Sequence, residues 1–88
     1  MPLEIVYTSD FLKTAKKLSE DIQGKLARQV EALKQNPFHS VLHTKPLAGQ
    51  LAGFYSFRIT RDWRVIFYFL NEFSVKLIRV GHRKDIYR

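Results

Sequence analysis

The stretch that decides the fold is FYSFRITRDWRVIFYFLNEFSVKLIRV, residues 54–80. It contains three runs rich in β-branched and aromatic residues, at 54–60, 63–70 and 73–80, separated by the polar pairs Arg61-Asp62 and Asn71-Glu72. Such runs are typical of strands, and connections this short join antiparallel neighbours. The sequence therefore predicts three consecutive antiparallel strands.

Alternation within these runs assigns the side chains to two faces of the predicted sheet. One face takes Trp63, Val65, Phe67 and Phe69 and is predicted to meet the helices. The opposite face takes Arg64, Ile66 and Tyr68, together with Ser56 and Arg58 from the preceding strand. This second face mixes cations with aromatic rings. Packing in a hydrophobic core therefore only half explains its residue composition.

The chain before this stretch predicts one strand and two helices. Residues 3–7 alternate and indicate a short strand, and Thr8 or Ser9 then caps a helix because a hydroxyl there accepts an orphan amide hydrogen bond. A second helix begins near Ser19 and ends at Asn36-Pro37, since the residue before a proline is disfavoured in the α region. Its apolar stripe consists of Ile22, Leu26, Val30 and Leu33.

The predicted fold class is α+β. An N-terminal strand and a two-helix hairpin pack on a twisted antiparallel sheet in the order β-α-α-β-β-β, and residues 37–53 form a loop. With 88 residues and neither a repeat nor a linker, the whole chain, 1–88, is expected to be a single domain.

Composition favours an acidic or polyanionic partner. Lys and Arg number 15 against 8 Asp and Glu, which gives a net charge of +7. A soluble surface that is merely rich in lysine is the alternative. The lack of cysteines, of a long apolar run and of a signal-peptide pattern leads us to expect a cytoplasmic protein without membrane association.

Residues 81–88, GHRKDIYR, contain several side chains that could take part in binding or catalysis. His82 exchanges protons near neutral pH, although a lone histidine is more often structural or merely exposed. Arg83 and Lys84 add charge beside it. Tyr87 offers a flat ring on which a base of single-stranded RNA could stack, and its alternative role is to fill a gap in the core.

Two arginines, Arg58 and Arg64, are predicted to lie side by side on adjacent strands, where they repel each other unless an anion lies between them. Alternatively they are solvated, or paired with Glu72 or Asp85. His39 and His43 have a spacing that would suit a metal on a helix, but they follow a proline in a predicted loop without cysteines. We therefore expect neither a metal nor a cofactor.

Three segments together carry a family resemblance: residues 45–59, residues 62–68 and residues 80–88. With the order strand, helical hairpin and three strands, they resemble the RelE/ParE superfamily of bacterial and archaeal toxins over nearly the whole chain. The resemblance implies the toxin of a type II toxin–antitoxin pair, neutralised by a cognate protein antitoxin. Operator DNA would be contacted only through the antitoxin complex.

RelE-like members of this superfamily cut messenger RNA, usually in the ribosomal A site. The RNA 2′-hydroxyl attacks the adjacent phosphate and leaves a cyclic phosphate, without a metal. Arg64 matches a family arginine that contacts the reacting phosphate, and Arg83 resembles the one that stabilises or protonates the leaving group. Tyr87 resembles the tyrosine that stacks on a base, and His82 falls near a catalytic histidine of some relatives. The expected RNA-binding residues are Lys45, Arg58, Arg61, Lys84 and Arg88.

The sequence departs from the family pattern in three respects. Ser56 stands where many relatives have arginine, and Trp63 replaces a more usual tyrosine. No glutamate is well placed as a general base, so His43 or a lysine remains a candidate, and activation of the 2′-hydroxyl by position and charge is the other possibility. The ParE branch shares the fold and inhibits DNA gyrase without cutting RNA, which is the alternative function.

Overall fold

The computed structural model describes residues 2–87. The strands are β1 (Glu4–Tyr7), β2 (Lys45–Pro46), β3 (Tyr55–Arg58), β4 (Trp63–Asn71) and β5 (Ser74–His82). The helices are α1 (Ser9–Lys16) and α2 (Glu20–Gln35), with short 3-10 helices at Ser40–Leu42 and Gly49–Leu51. The α+β fold class expected from the sequence is confirmed.

The five strands form one mixed sheet in the order β1-β5-β4-β3-β2. The pairs β2–β3, β3–β4 and β4–β5 are antiparallel, as predicted for the last three strands. The antiparallel sheet expected from the sequence is extended to a mixed one, because β1, to which the sequence assigned no partner, pairs in parallel with β5. Short turns force antiparallel pairing, but no short turn joins β1 to its neighbour; the intervening chain gives the long crossover that parallel strands need.

Both helices begin at the predicted hydroxyl caps. Thr8 Oγ1 accepts a hydrogen bond from the Phe11 amide at 2.9 Å, and Ser19 Oγ accepts one from the Ile22 amide at 3.3 Å. Each bond satisfies a backbone donor that has no partner within the helix. The α2 helix ends at Gln35, directly before the predicted stop.

The core lies between the helices and one face of the sheet. Phe11 of α1 and Leu33 of α2 meet Val65 and Phe67 of β4 there, and Phe67 is fully buried. Trp63 and Phe69 pack at the margin of the same cluster, so the face predicted to meet the helices is confirmed. Within the described residues, no helix is both long and apolar enough to span a membrane.

Two boundaries differ from the sequence prediction. The predicted loop at 37–53 contains the short strand β2, whose residues Lys45 and Pro46 pair with Ser56 and Tyr55. The last strand continues beyond Val80 to His82. Gly81 and His82 are therefore held in the sheet rather than in the segment that follows it.

Candidate functional site

The sheet face that points away from the helices carries most of the candidate residues, and we call it the basic face. Directly opposed residues of antiparallel strands point to the same side of a sheet. The strand register therefore places two rows of side chains on this face. One row is Lys45, Ser56, Ile66 and Arg79, and the next is Arg58, Arg64 and Gly81.

Arg58 and Arg64 are direct partners in the register of β3 and β4, as the sequence predicted. Arg64 is only 9% exposed, and its Nη2 donates to the carbonyl oxygen of Arg61 at 3.2 Å. Among residues 2–87, its buried Nε has no hydrogen-bonding partner, and neither arginine forms an ion pair with Glu72 or Asp85. A buried guanidinium with an unused donor beside a second cation is well suited to hold an anion.

Phosphate is therefore expected to raise the melting temperature of the protein through this arginine pair. A ligand at ten times its Kd adds about 1.4 kcal/mol to the free energy of unfolding, which corresponds to several degrees in a domain of this size. The measurement is thermal unfolding in phosphate against chloride at equal ionic strength. An Arg64→Ala variant should lose most of the shift, and an equal shift in both proteins would contradict an anion site here.

Segment 83–87 turns back from the end of β5 and lies against the basic face. The amides of Asp85 and Ile86 both donate to the carbonyl oxygen of His82, at 2.9 and 3.0 Å, which reverses the chain. Arg79 Nη2 then donates to the carbonyl oxygen of Ile86 at 2.7 Å, and Ile86 is only 3% exposed. The sheet itself thus positions Tyr87, the next residue.

Gly81 makes this close approach of segment 83–87 possible. A Cβ atom at this residue would lie 3.1 Å from Ile86 Cβ and 3.3 Å from Ile86 Cγ1. Because such contacts are tighter than most Cβ contacts in proteins, a larger residue would require Ile86 to shift by a few tenths of an ångström. No pattern in the sequence indicates this role, since Gly81 resembles an ordinary strand-end glycine.

The ring of Tyr87 lies half-buried at the edge of the basic face. Its hydroxyl donates to Ser56 Oγ at 3.2 Å, and Lys45 Nζ lies 5.8 Å from the ring centroid. A groove of about 540 Å³ opens beside it, lined by Lys45, Leu47, Ala48, Gln50, Leu51 and Tyr87. Its hydroxyl is thus anchored to the sheet while its ring lines an open groove, and stacking on a base stays a prediction.

The structure does not bring His82 together with the arginine pair. His82 is the register partner of Trp63, and the two rings meet edge to face with centroids 5.4 Å apart, on the helix side of the sheet. Its Nδ1 accepts a hydrogen bond from the Lys84 amide at 3.2 Å, so the proton of the neutral ring is on Nε2. A catalytic role for His82 stays a prediction, and it would have to act from the end of the sheet.

Arg83 is exposed and held by the turn between β3 and β4. Its amide donates to the carbonyl oxygen of Asp62 at 2.7 Å, and its Nε lies 3.3 Å from Asp62 Oδ1. An exposed ion pair of this kind contributes only about 0–1 kcal/mol, so it can open readily. Arg61 and Lys84 are also exposed, whereas Arg88 lies outside the described residues.

The two loop histidines lie at the two ends of a short 3-10 helix. His39 caps the 3-10 helix Ser40–Leu42 with its Nδ1, which accepts from the Val41 amide at 3.1 Å, and His43 ends that helix with a left-handed φ of 48°. Over residues 2–87, no three histidine, aspartate or glutamate side chains come close enough together to hold a metal ion. The arginines, Tyr87 and His82 described above offer charge stabilisation, stacking and proton transfer.

Residues 5–87 match the family model for the ParE toxin of the type II toxin–antitoxin system parDE. The chain belongs to this toxin family, within the RelE/ParE superfamily. The resemblance seen in the sequence is confirmed. No curated protein sequence shows significant similarity to the toxin.

Solved structures of other type II toxins share the fold. The toxin–antitoxin complex RelBE2 from Mycobacterium tuberculosis contains a chain that is 27% identical, with a TM-score of 0.80, covering 94% of this toxin and 100% of that chain. YafQ from E. coli BL21(DE3) is 22% identical, with a TM-score of 0.80 and coverage of 98% and 99%. A chain of the archaeal RelE–RelB complex from Pyrococcus horikoshii OT3 is 18% identical, with a TM-score of 0.79 and coverage of 97% and 99%.

Proposed function

We propose that this toxin is an endoribonuclease that cuts messenger RNA on the ribosome and thereby inhibits translation. The observation that carries the proposal is the buried Arg64, whose Nε is unpartnered in the described part of the chain and which lies opposite Arg58. The Tyr87 ring and the groove beside it lie on the same face. An anion site next to a ring that can stack on a base suits the backbone of single-stranded RNA.

The reaction proposed is attack of an RNA 2′-oxygen on the adjacent phosphorus. A bond from phosphorus to the 2′-oxygen forms, the bond to the 5′-oxygen breaks, and the products are a cyclic phosphate and a 5′-hydroxyl. Negative charge grows on the phosphate oxygens, and Arg58 and Arg64 stabilise it from fixed strands. Arg83 lies across the β3–β4 turn and acts on the leaving oxygen once it separates from Asp62.

Two protons must also move, one away from the 2′-hydroxyl and one onto the 5′-oxygen. Arginine stays protonated in proteins, so the arginines stabilise charge. Another group accepts the first proton, and that group in its protonated form, or solvent water, gives a proton to the 5′-oxygen. Lys45 lies on the basic face beside Ser56, whereas His43 is exposed in the loop that precedes β2. Of the two candidates left by the sequence, Lys45 is therefore the better placed.

The proposed partners follow from the charge and from the relatives. A net charge of +7 favours an acidic antitoxin as well as RNA, and RelBE2 and RelE–RelB were solved as toxin–antitoxin complexes. We propose that a cognate antitoxin covers the basic face or displaces segment 83–87. Operator DNA would be reached only through that complex.

The test is induction of the toxin in a bacterium without its antitoxin, followed by mapping of the 5′ ends of messenger RNA. New ends within translated codons are expected with the parent protein and not with Arg83→Ala, because that variant lacks the cation beside the leaving oxygen. Ends that appear equally with both proteins would remove Arg83 from the site. Intact messages would overturn the proposed function.

The second candidate is inhibition of DNA gyrase without RNA cleavage. It is favoured by the family description itself, which is that of ParE. On this alternative, growth would stop with intact messages and broken DNA. Residues 82, 83 and 87, which resemble functional residues of RNA-cutting members of the superfamily, would then have no catalytic role.

Two substitutions at Tyr87 separate the contribution of its ring to cleavage from that of its hydroxyl. Tyr87→Ala should lower the cleavage rate about 10- to 100-fold, because one base–aromatic stack contributes ~1–3 kcal/mol. Tyr87→Phe keeps the ring and loses only the hydrogen bond to Ser56, so its rate should stay within a few-fold of the parent. Rates are measured on translated messages in a reconstituted system; equal losses in both variants would show that the hydroxyl matters and the ring does not.

A further inference from the structure

His82 binds three consecutive backbone amides of segment 83–87. Its carbonyl oxygen accepts hydrogen bonds from the amides of Asp85 and Ile86, at 2.9 and 3.0 Å. Its side chain takes part as well, because Nδ1 accepts a hydrogen bond from the Lys84 amide at 3.2 Å. One residue at the end of β5 therefore fixes the start of the segment, through its backbone and its ring together.

The side-chain bond of His82 has the same form as two bonds that asparagine makes elsewhere in the chain. Asn36 Oδ1 accepts a hydrogen bond from the amide of Phe38 at 3.0 Å. Asn71 Oδ1 accepts one from the amide of Phe73 at 2.7 Å. In each case a side-chain acceptor binds the amide two residues later and holds a turn. At His82 the acceptor is a ring nitrogen, which accepts a hydrogen bond only while the imidazole is neutral.

Protonation of His82 works against this bond. A protonated ring carries a hydrogen on both nitrogens, so Nδ1 then meets the Lys84 amide as a second donor. Within residues 2–87, His82 forms no ion pair. The charged side chains of the β3–β4 turn, of segment 83–87 and of the helix packed against β5 are exposed and mostly cationic: Arg61, Asp62, Arg83, Lys84, Asp85, Asp10, Lys13, Lys16 and Lys17. An added proton therefore removes a hydrogen bond and adds charge to a mainly cationic end of the sheet.

We propose that His82 is a positioning residue, whose neutral imidazole holds segment 83–87 in the arrangement that presents Arg83 and Tyr87. Its effect on cleavage rests on the proposed function. His82 acts through the segment and not on the RNA, because its ring packs against Trp63 on the helix side of the sheet. Histidine changes its charge between about pH 5 and 8. The segment is therefore held at neutral and alkaline pH and is released as the pH falls.

Two substitutions of His82 separate the roles of its two ring nitrogens. In His82→Asn, Oδ1 takes the place of Nδ1 and accepts the Lys84 amide without titrating, as Asn71 does for its own turn. In His82→Gln, the same amide group lies farther out, near the position of Nε2, and does not reach the Lys84 amide. Positioning predicts that His82→Asn cuts RNA about 2- to 10-fold faster than His82→Gln, which is the effect of one hydrogen bond. A role for Nε2 in proton transfer predicts the opposite order.

The pH dependence of cleavage is the second readout. Single-turnover rates are measured from about pH 5 to 8 for the parent, for His82→Asn and for the matched control His39→Asn, which changes the other histidine that binds an amide through Nδ1. Because the general base titrates alike in all three proteins, the ratio of the parent rate to the His82→Asn rate isolates His82. This ratio should fall about 2- to 10-fold toward the acid end, and His39→Asn should follow the parent.

A measurement without RNA keeps the inference separate from the proposed function. NMR follows the protection of the Lys84 amide from hydrogen exchange, relative to its intrinsic exchange rate, and the signals of the Tyr87 ring over the same pH range. In the parent, protection should fall in acid and the ring signals should change, whereas His82→Asn should show neither effect. That result supports the positioning role even if the parent cuts no message.

Three results would overturn the positioning role and leave the nuclease intact. Equal protection of the Lys84 amide at both ends of the pH range in the parent would show that protonation does not release the segment. Faster cleavage by His82→Gln than by His82→Asn would assign the role of His82 to Nε2. A ratio of parent to His82→Asn rates that stays constant with pH would show that cleavage does not require the neutral ring. The titration of the parent alone decides the question if a variant fails to fold.

Discussion

Replacing Arg64 with alanine should lower RNA cleavage about 100- to 1000-fold, the cost found when one preorganised donor to a developing negative charge is removed. Arg64 is 9% exposed, its Nη2 is held by the Arg61 carbonyl oxygen and its Nε is unpartnered among the described residues, so the guanidinium is fixed in place and keeps a donor that the fold does not use. The measurement is the single-turnover rate on a translated message with saturating toxin. Because the proposed interaction grows as the bond breaks, the loss should appear in the rate more than in substrate affinity.

A matched control separates loss of charge from loss of structure. Arg28→Ala removes the same side chain from an exposed residue of α2, and we expect parental cleavage from it. Arg64→Lys keeps the charge but not the planar fork, and its rate should fall between those of the parent and Arg64→Ala. If Arg64→Ala folds like the parent and cuts at the parental rate, Arg64 does not contact the reacting phosphate.

Phe67→Ala should remove a large part of the stability of the toxin, about 3–5 kcal/mol. Phe67 is fully buried and contacts three other rings, with centroid distances of 5.7 Å to Tyr55, 5.8 Å to Phe57 and 5.6 Å to Phe69. Domains of this size are typically stable by only about 5–15 kcal/mol. The measurement is equilibrium unfolding in urea.

Phe73 offers the control for that experiment. It is 70% exposed in the turn between β4 and β5, and Phe73→Ala should change the free energy of unfolding by no more than about 0.5 kcal/mol. If Phe67→Ala and Phe73→Ala lower the free energy of unfolding by similar amounts, Phe67 does not lie at the centre of the core.

The sequence predicts those elements whose signals are local. Alternation from Tyr55 to Val80 determines three strands and their two faces, and hydroxyl caps and a proline determine the helices. The opposition of Arg58 and Arg64 follows from the same alternation across one short turn, so half of the candidate site can be predicted from the amino-acid sequence alone.

Contacts between distant residues are not predictable in this way. The parallel pairing of β1 with β5 depends on where the chain returns after the helices, and no pattern in residues 4–7 encodes it. The hydrogen bond between Tyr87 and Ser56, 31 residues apart, and the fit of Ile86 over Gly81 are packing relationships. His82 shows the limit most clearly, because its nearness to Arg83 in sequence suggested a shared site and strand alternation turns it toward Trp63.

Strands β3 and β4 carry the centre of the core on one face and the proposed anion site on the other. Phe57 and Val65 are fully buried among the helices, and each is followed or preceded by an arginine that points the other way, Arg58 or Arg64. Inherited changes that repack the core must therefore keep the strand register, since a slip of one residue would exchange the two faces. On the proposed function, toxicity has no such constraint, because one substitution on the outer face should abolish cleavage and leave a folded, inactive protein.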